Sequence, residues 1–425
     1  MNQIKKWIIS SILLAVIITA CNRNSHPNTL PNVLPNTIIL HWNETAYNAF
    51  GGPDYQHSLM ASRINAMMHL AMHDALNGIE SKYARYAFTG FDEQAHPIAA
   101  ASMAAYVVLA EELPSRKSYL DSSLTKALMH VEEDESKNRG LALGKAAANA
   151  VLQKRIDDGN KCEAMVAVPP ATKPGMFVGV PPFNILFAPQ WENVKPFSIK
   201  VKDQFRSKPH PAIDSKDYAD ALNEVRLFGS INSATRSEEQ TAYARFWYEF
   251  SEAGWNRIAR NVIISKNLSL LESARLLALV DMAIADAYIA GWDSKMFYNF
   301  WRPYTAIREA DLDNNNSTMP ESTWEPVLPT PPVQDYPSTH SALGNAAATV
   351  LAKLLGDETS FSFISPTAIA GSEPRSFTSF SAAARENADS RVMAGIHFRF
   401  SCDAGLELGK KVGEWVVAHH LQPLP

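Results

Sequence analysis

Two long cationic side chains are spaced so that a helix would bring them together. Lys295 and Arg302 lie seven residues apart, and Pro303 follows directly. Seven residues of α-helix turn through about 700° and rise about 10 Å, so both side chains would share one face. Pro303 predicts that this helix ends at Arg302. The pair favours binding of a small anion, although such a pair is more often a solvated stripe.

A second group combines a helix start with a histidine. Ser338 and Thr339 precede His340, and a helical pattern runs from there to Leu355. Serine is a typical N-cap, and the free N–H groups of a helix N-terminus bind oxyanions. His340 is therefore predicted to face a bound anion. Taken alone, the same residues also fit a simple helix cap.

A third group adds one more cation and one more imidazole. Arg391 and His397 lie six residues apart within a helical pattern over 381–397. A spacing of six does not place two residues on one helix face. Periodicity therefore leaves their convergence open, and an isolated histidine in an apolar run is more often a core residue.

In this order, the three groups resemble a known signature. Lys-x6-Arg-Pro, Pro-Ser-x-His and Ser-Arg-x5-His are similar to the motifs of the type 2 phosphatidic acid phosphatase superfamily, which includes vanadium-dependent haloperoxidases and bacterial acid phosphatases. Within this superfamily the chain most resembles the bacterial chloroperoxidase-like branch. The residues over 63–77 and 300–308 share this resemblance. The resemblance implies an enzyme with an all-α, chloroperoxidase-like fold.

The resemblance also implies a role for each matching residue. Five of them would bind the oxygens of vanadate or phosphate: Lys295, Arg302, Ser338, Thr339 and Arg391. His340 would be the general acid/base, and His397 would ligate vanadium or form a phosphohistidine. Trp292 would line a halide pocket. One cationic cage can serve both anions, because vanadate adopts the five-coordinate geometry through which phosphate passes.

Two positions depart from the family pattern. Thr339 replaces the usual glycine, and its side chain is expected to narrow the pocket. Ser401 stands four residues after His397, where the family often has an aspartate that orients the imidazole, and Asp403 is not expected to substitute for it. Loss of such a carboxylate makes an imidazole less basic. The departure therefore favours vanadate ligation over phosphoryl transfer.

Three functions remain open from the sequence. The preferred one is a haloperoxidase with vanadate as cofactor, in which hydrogen peroxide drives oxidation of a halide or a sulfide. The second is a phosphomonoesterase without a cofactor, acting through a phosphohistidine at His397. The third is an inactive anion-binding lipoprotein. A separate metal site at His69, His73 and Asp74 is not predicted, because a further ligand is not evident nearby.

Hydrophobic periodicity predicts the elements that carry these residues. Helical patterns cover 56–79, 96–112, 117–131, 136–157, 214–228, 236–262, 269–300, 339–355, 381–397 and 402–420. The stretch 163–212 holds many prolines and is predicted to be irregular. The predicted architecture is an N-terminal helical bundle (37–160), a Pro-rich connection (161–212) and a C-terminal bundle (213–425) that contains the oxyanion site.

The N-terminus resembles a bacterial lipoprotein signal peptide. Two lysines precede an apolar run over 7–20, and Cys21 follows small residues. We expect a signal peptide over 1–21, acylation of Cys21 as a membrane anchor, and a flexible tether over 22–36. The predicted location is the periplasm-facing side of a membrane, most simply the outer membrane, or the cell surface. Whether Cys162 and Cys402 pair there is left open.

Composition excludes some classes of protein. The 425 residues are 46% hydrophobic, too apolar for a disordered chain. A formal net charge of -5 offers no basic excess to a nucleic acid, so no nucleic-acid partner is predicted. Three cysteines cannot form a disulfide framework. The oligomeric state is left open and includes a homo-oligomer.

Overall fold

The structure is a computed structural model that describes residues 36–161 and 163–425. Helix accounts for 57% and strand for 4%, which confirms the predicted all-α class. The helices of this part of the chain are α1 Thr37–Phe50, α2 Ser58–Glu80, α3 Pro97–Glu112, α4 Lys117–Leu128, α5 Glu135–Lys154, α6 Lys216–Phe228, α7 Glu238–Phe246, α8 Ser251–Ser265, α9 Leu270–Tyr298, α10 Pro303–Arg308, α11 Thr339–Leu355, α12 Phe380–Met393 and α13 Arg399–His419. The strands are β1 Met165–Val166, β2 Leu186–Phe187, β3 Phe361–Phe363 and β4 Arg375–Phe377, paired antiparallel as β1–β2 and β3–β4.

Most predicted helices are found within a few residues of their expected ends, and three differences affect the site. The pattern over 236–262 is two helices, α7 and α8, separated at 247–250. Helix α9 ends at Tyr298 and not at Arg302. Helix α12 ends at Met393, so His397 lies outside it. The helices α1 and α10 were not predicted from the sequence.

Helix α9 is the buried centre of the described chain. It begins with a capping box formed by Ser269 and Glu272, and nearly every residue from Leu270 to Lys295 is buried. It packs against α2, α11 and α13. Such a helix is apolar on all sides because it has neighbours on all sides.

Glycines on α13 allow close packing against α11. A methyl group on Gly405 would lie 2.3 Å from the Ser338 carbonyl oxygen, and one on Gly409 would lie 2.1 Å from that of Ala342. Contacts this short exclude any side chain at these positions. The glycines therefore fix the distance between α13 and the N-terminus of α11.

In its described residues, 161 and 163–212, the Pro-rich connection contains no α-helix, as predicted, and buried polar groups attach it to the helices. Asp286 on α9 accepts N–H groups from Phe197, Ser198 and Ile199 at 2.6–2.8 Å. Arg155 donates to the carbonyls of 195 and 196. Residues 36–425 form one compact body, and the division into two bundles stays a prediction.

Some predicted features lie outside the described residues, namely the signal peptide, Cys21, the tether over 22–35, and Cys162. Within the described ranges, no single helix has the length and apolar character needed to cross a membrane. One bent pair, Pro97–Glu112 with Pro114–Leu128, meets the length and composition criteria.

Candidate functional site

Three buried cations converge beside the segment 333–335. Lys295 Nζ donates to the carbonyls of Gln334 (2.5 Å) and Asp335 (3.0 Å). Arg302 Nε donates to the Val333 carbonyl at 2.7 Å. Arg391 lies close to this group, and all three cations are at most 1% exposed. The backbone of 333–335 thus brings Lys295 and Arg302 together.

Arg302 reaches this position through a turn, which corrects the prediction of a continuous helix. Asn299 ends α9 in the left-handed conformation (φ 47°), and Arg302 is extended (φ −86°, ψ 157°) before α10. Pro303 begins α10 and does not end α9, in keeping with the preference of proline for the first helical position. The two cations meet through shared carbonyl partners and not through helix periodicity.

A turn also brings Arg391 and His397 together. After α12 the chain bends at Gly395, whose φ of +79° is favoured only by glycine. The Ile396 N–H bonds back to the Arg391 carbonyl at 3.1 Å, and His397 Nε2 lies 3.0 Å from Arg302 Nη1. This reversal explains how a spacing of six residues can place both side chains at one site.

The N-terminus of α11 completes the site. Ser338 is its N-cap, as predicted, and its Oγ accepts hydrogen bonds from the N–H and hydroxyl of Ser341. Its own hydroxyl hydrogen is left to donate to a ligand. His340 Nε2 lies 3.0 Å from the Glu249 carbonyl, which can only accept. His340 Nε2 therefore carries the proton, and Nδ1 is the basic atom.

Thr339 is accommodated by a glycine on the neighbouring helix. A methyl group placed on Gly291 of α9 would lie 2.7 Å from Thr339 Cγ2. The Thr339 methyl therefore fills space that Gly291 leaves on α9. The expected narrowing of an anion pocket by this side chain stays a prediction.

Burial controls the charge states of the site. It lowers the pKa of His340 and of His397 well below the ordinary value, and the nearby cations lower both pKa values further. Both imidazoles are therefore neutral at neutral pH. Burial lowers the pKa of Arg302 and of Arg391 to about 10, so both guanidinium groups remain protonated there.

Sequence reasoning missed a carboxylate in the site, Asp335. It is fully buried, and its Oδ1 lies 2.9 Å from His397 Nδ1 and 3.9 Å from Arg302 Nη1. The Ser401 hydroxyl donates to its Oδ2. Asp335 and His397 are separated by 62 positions, so no local spacing connects them. The only sequence signal was the position of Asp335 just before the Tyr-Pro-Ser-Thr-His motif.

The interruption between α7 and α8 was also missed, and it contributes to the site. The Trp247 carbonyl accepts from Arg391 Nη1 at 3.0 Å, and the Glu249 carbonyl is the partner of His340. The Tyr248 ring lies 5.7 Å from the Arg391 guanidinium. A continuous helix would use these carbonyls in its own hydrogen bonds. The Trp247 side chain itself is buried.

Other predicted features have separate locations. Trp292 is buried on α9, one helical turn before Lys295, and its ring packs edge-on against Tyr288 at 5.6 Å. A halide role for Trp292 stays a prediction. His69 and His73 have different carboxylate partners, Asp281 and Asp74. No cluster of metal ligands is found among the described residues.

The site has the properties needed to hold a tetra-oxo anion. Burial, together with the nearby Arg302, lowers the pKa of Lys295 well below its ordinary value. The two guanidinium groups of Arg302 and Arg391 still face a single carboxylate, Asp335, so positive charge is in excess. Buried charge is costly unless it is paired. Arg391 Nε is buried and, within the described residues, has no hydrogen-bond partner. An anion with several oxygens, such as vanadate, would satisfy both requirements.

The comparisons with known proteins agree with this geometry. Residues 275–424 match the family model of the VCPO second helical-bundle domain. Vanadium chloroperoxidase from Curvularia inaequalis is 31% identical over 160 residues, which cover 32% of this chain and 26% of the relative. The match thus spans about a quarter of the curated relative's length.

Solved structures match over nearly the whole chain. A crystal structure of a bacterial vanadium-dependent iodoperoxidase has a TM-score of 0.80 at 26% identity and covers 92% of this chain and 99% of that one. A holo-type bacterial vanadium-dependent chloroperoxidase has a TM-score of 0.71 at 19% identity and covers 91% and 98%.

These findings define the class of protein. The chain has the vanadium-haloperoxidase fold, and the predicted resemblance is confirmed. Its C-terminal part matches the VCPO second helical-bundle domain. The relatives are enzymes, in agreement with the predicted class, and the phosphatase alternative is not favoured.

Proposed function

We propose that the protein is a haloperoxidase that uses vanadate and hydrogen peroxide to oxidise a halide. The observation that carries this proposal is the buried excess of positive charge beside a neutral histidine, His397. A fixed cationic site binds a vanadate oxyanion, and a neutral imidazole can ligate its metal. The peroxidase names of the matched proteins favour this chemistry over ester hydrolysis.

Each residue would have a defined task. Lys295, Arg302 and Arg391 would neutralise the vanadate oxygens, with the Ser338 hydroxyl and the Thr339 N–H as further donors. His397 would hold the metal through Nε2. Bound vanadate would supply the activation of peroxide towards the halide.

His340 would move the protons of this reaction. Its Nε2 is fixed on the Glu249 carbonyl, so Nδ1 would accept a proton from incoming peroxide and return it to the product. Burial lowers the pKa of His340, which keeps the imidazole neutral at neutral pH, so it would act first as a base. A bound anion would offset the cations that lower this pKa.

The test uses the purified full chain, freed of vanadate and then reloaded. We expect vanadate-dependent bromination of a phenol dye with peroxide and bromide; iodide and chloride in parallel assays would give the halide preference. His397→Ala should abolish this activity, and Arg391→Ala should weaken vanadate binding by about 10–100-fold. Lys410→Ala, on the exposed surface of α13, is the matched control and should behave as wild type.

Two results would overturn the proposal. If the protein shows no peroxidase activity but hydrolyses p-nitrophenyl phosphate, and vanadate inhibits this hydrolysis, the protein is a phosphatase. Phosphate binding without either activity would indicate an anion-binding protein that does not turn over.

We also propose an exported, membrane-anchored location. The support is the lipoprotein-like sequence before Cys21, which lies outside the described residues. The enzyme would then encounter its small substrates outside the cytoplasm. A homo-oligomer stays a prediction.

A further inference from the structure

We propose that Asp335 is the positioning residue of His397 and replaces, from a different segment of the chain, the carboxylate that is missing at position 401. Asp335 lies just before the N-terminus of α11, whereas position 401 is on α13. The inference rests on the proposed function, because it concerns how His397 is held for vanadate. It assigns the task to a residue that none of the sequence motifs includes.

The contacts of His397 fix which of its nitrogens carries the proton. Arg302 Nη1 lies 3.0 Å from Nε2 and 3.4 Å from Nδ1. A guanidinium can only donate, so the nearer nitrogen, Nε2, is an acceptor. The neutral imidazole then carries its proton on Nδ1, which lies 2.9 Å from Asp335 Oδ1. The lone pair then lies on Nε2, where it accepts from Arg302 Nη1, and a metal ligated by His397 would take the place of this hydrogen bond.

The Asp335 carboxylate is placed to accept a hydrogen bond from the Nδ1–H of His397. Asp335 is fully buried, and its Oδ1 has no aligned hydrogen-bond donor among the described residues. His397 Nδ1 is close enough to donate to it but is not aligned for a hydrogen bond. A small rotation of the imidazole, as on ligation through Nε2, would align the bond. The buried Asp335 Oδ1, which has no other donor among the described residues, is therefore the natural acceptor for the Nδ1–H of His397.

Ser401 explains why the aspartate can stand at 335. The Ser401 hydroxyl donates to Asp335 Oδ2, and the Ser401 carbonyl accepts from the Ser338 N–H at 2.8 Å. The two side chains are thus neighbours beside His397. In this protein position 335 supplies the carboxylate and position 401 supplies a hydroxyl that orients it.

A rival explanation is that Asp335 only balances the cations. Its Oδ1 lies 3.9 Å from Arg302 Nη1, and its carbonyl accepts from Lys295 Nζ. In that case its loss would weaken every anion similarly. A role through His397 would instead weaken vanadate, which bonds to the imidazole, more than phosphate bound by the cations alone.

The experiment exchanges the two residues in the full chain. Vanadate and inorganic phosphate binding to the apo protein are measured by calorimetry for wild type, Asp335→Ser, and the double variant Asp335→Ser/Ser401→Asp. We expect the single variant to lose about 10–100-fold in vanadate affinity, with a clearly smaller loss for phosphate. The double variant should recover most of the lost vanadate affinity, because it returns a carboxylate to His397.

The ¹⁵N spectrum of labelled histidine gives a readout that needs no vanadate. The His397 signal, assigned by its absence in His397→Gln, should show an Nδ1 proton in wild type and a shift towards the Nε2 proton in Asp335→Ser. If Asp335→Ser does not fold, Ser401→Ala removes only the hydroxyl that orients Asp335 and should weaken vanadate binding more than phosphate binding.

Equal losses for both anions, or an unchanged His397 tautomer in Asp335→Ser, would overturn the inference. A wild-type protein that does not bind vanadate would instead overturn the proposed function, while the tautomer measurement would still decide the role of Asp335.

Discussion

At the residue scale, the chemistry proposed for this protein depends on buried positive charge that a single carboxylate does not balance. Lys295, Arg302 and Arg391 are buried with one carboxylate between them. Such an arrangement is destabilising without an anion, so part of the anion's binding energy comes from relieving repulsion in the folded protein. Bound vanadate should accordingly also stabilise the fold, as any ligand specific for the native state does.

Another buried ionisable residue near the helix core gives a prediction on pH. Glu252 accepts hydrogen bonds from the Tyr55 hydroxyl (2.6 Å) and the Tyr288 hydroxyl (3.0 Å), and burial raises its pKa to about 7. The ordinary value is 4.5, so between these pH values the folded state holds more protons than the unfolded state. Titration of Glu252 should therefore lower the free energy of unfolding by roughly 3 kcal/mol as pH rises from 4.5 through 7.

Glu252→Gln removes this titration. We expect the variant to lose less thermal stability between pH 5 and pH 8 than wild type does, measured by circular dichroism melting at both values. Glu93→Gln, at an exposed position, is the control and should keep the wild-type difference. An identical pH dependence in Glu252→Gln and wild type would contradict the prediction.

At the element scale, the site depends on where helices stop. The bend at Gly395 returns His397 to Arg302, and the break at 247–250 frees two carbonyls for Arg391 and His340. Helices then have to pack closely enough to keep these ends together. Glycines at the interface of α11 and α13 serve that purpose.

Gly409→Ala tests this packing. The added methyl would lie 2.1 Å from the Ala342 carbonyl oxygen, so α13 would have to move away from α11. We expect a loss of stability of about 1–3 kcal/mol, with reduced vanadate affinity, since α11 carries Ser338 and His340. The measurement is urea unfolding, with Lys410→Ala on the exposed face of α13 as the control. Wild-type stability in Gly409→Ala would show that the interface is not close-packed.

At the scale of the whole molecule, the N-terminal helices support the site without contributing one of its predicted residues. Helix α2 packs along α9, and His69 bonds to Asp281 at 2.5 Å across that contact. Asn256 of α8 donates to the same carboxylate at 2.6 Å. This buried network fixes α9, which carries Lys295. It also gives His69 of α2 a buried carboxylate partner.

The lipid anchor is a prediction at this scale too. We expect the protein produced in a bacterial host to incorporate a fatty-acid label and to enter the detergent phase of a phase split, because acyl chains bury their methylene groups in the membrane. Cys21→Ser should lose the label, and Cys162→Ser should keep it. A mature, unlabelled wild-type protein in the aqueous phase would disprove acylation.

The sequence by itself determined the fold class and most helices, and it predicted the residues that the structure brings together at the site. Helix periodicity and capping are local, and the three motifs hold their residues at short, fixed spacings, as with Ser338 at the start of α11. Only the tertiary structure decided that Arg302 follows a turn, that the carbonyls of 247 and 249 face the site, and that Asp335 stands beside His397. Those contacts join segments far apart in the chain, and hydrogen bonds between distant segments leave no spacing in the sequence by which to predict them.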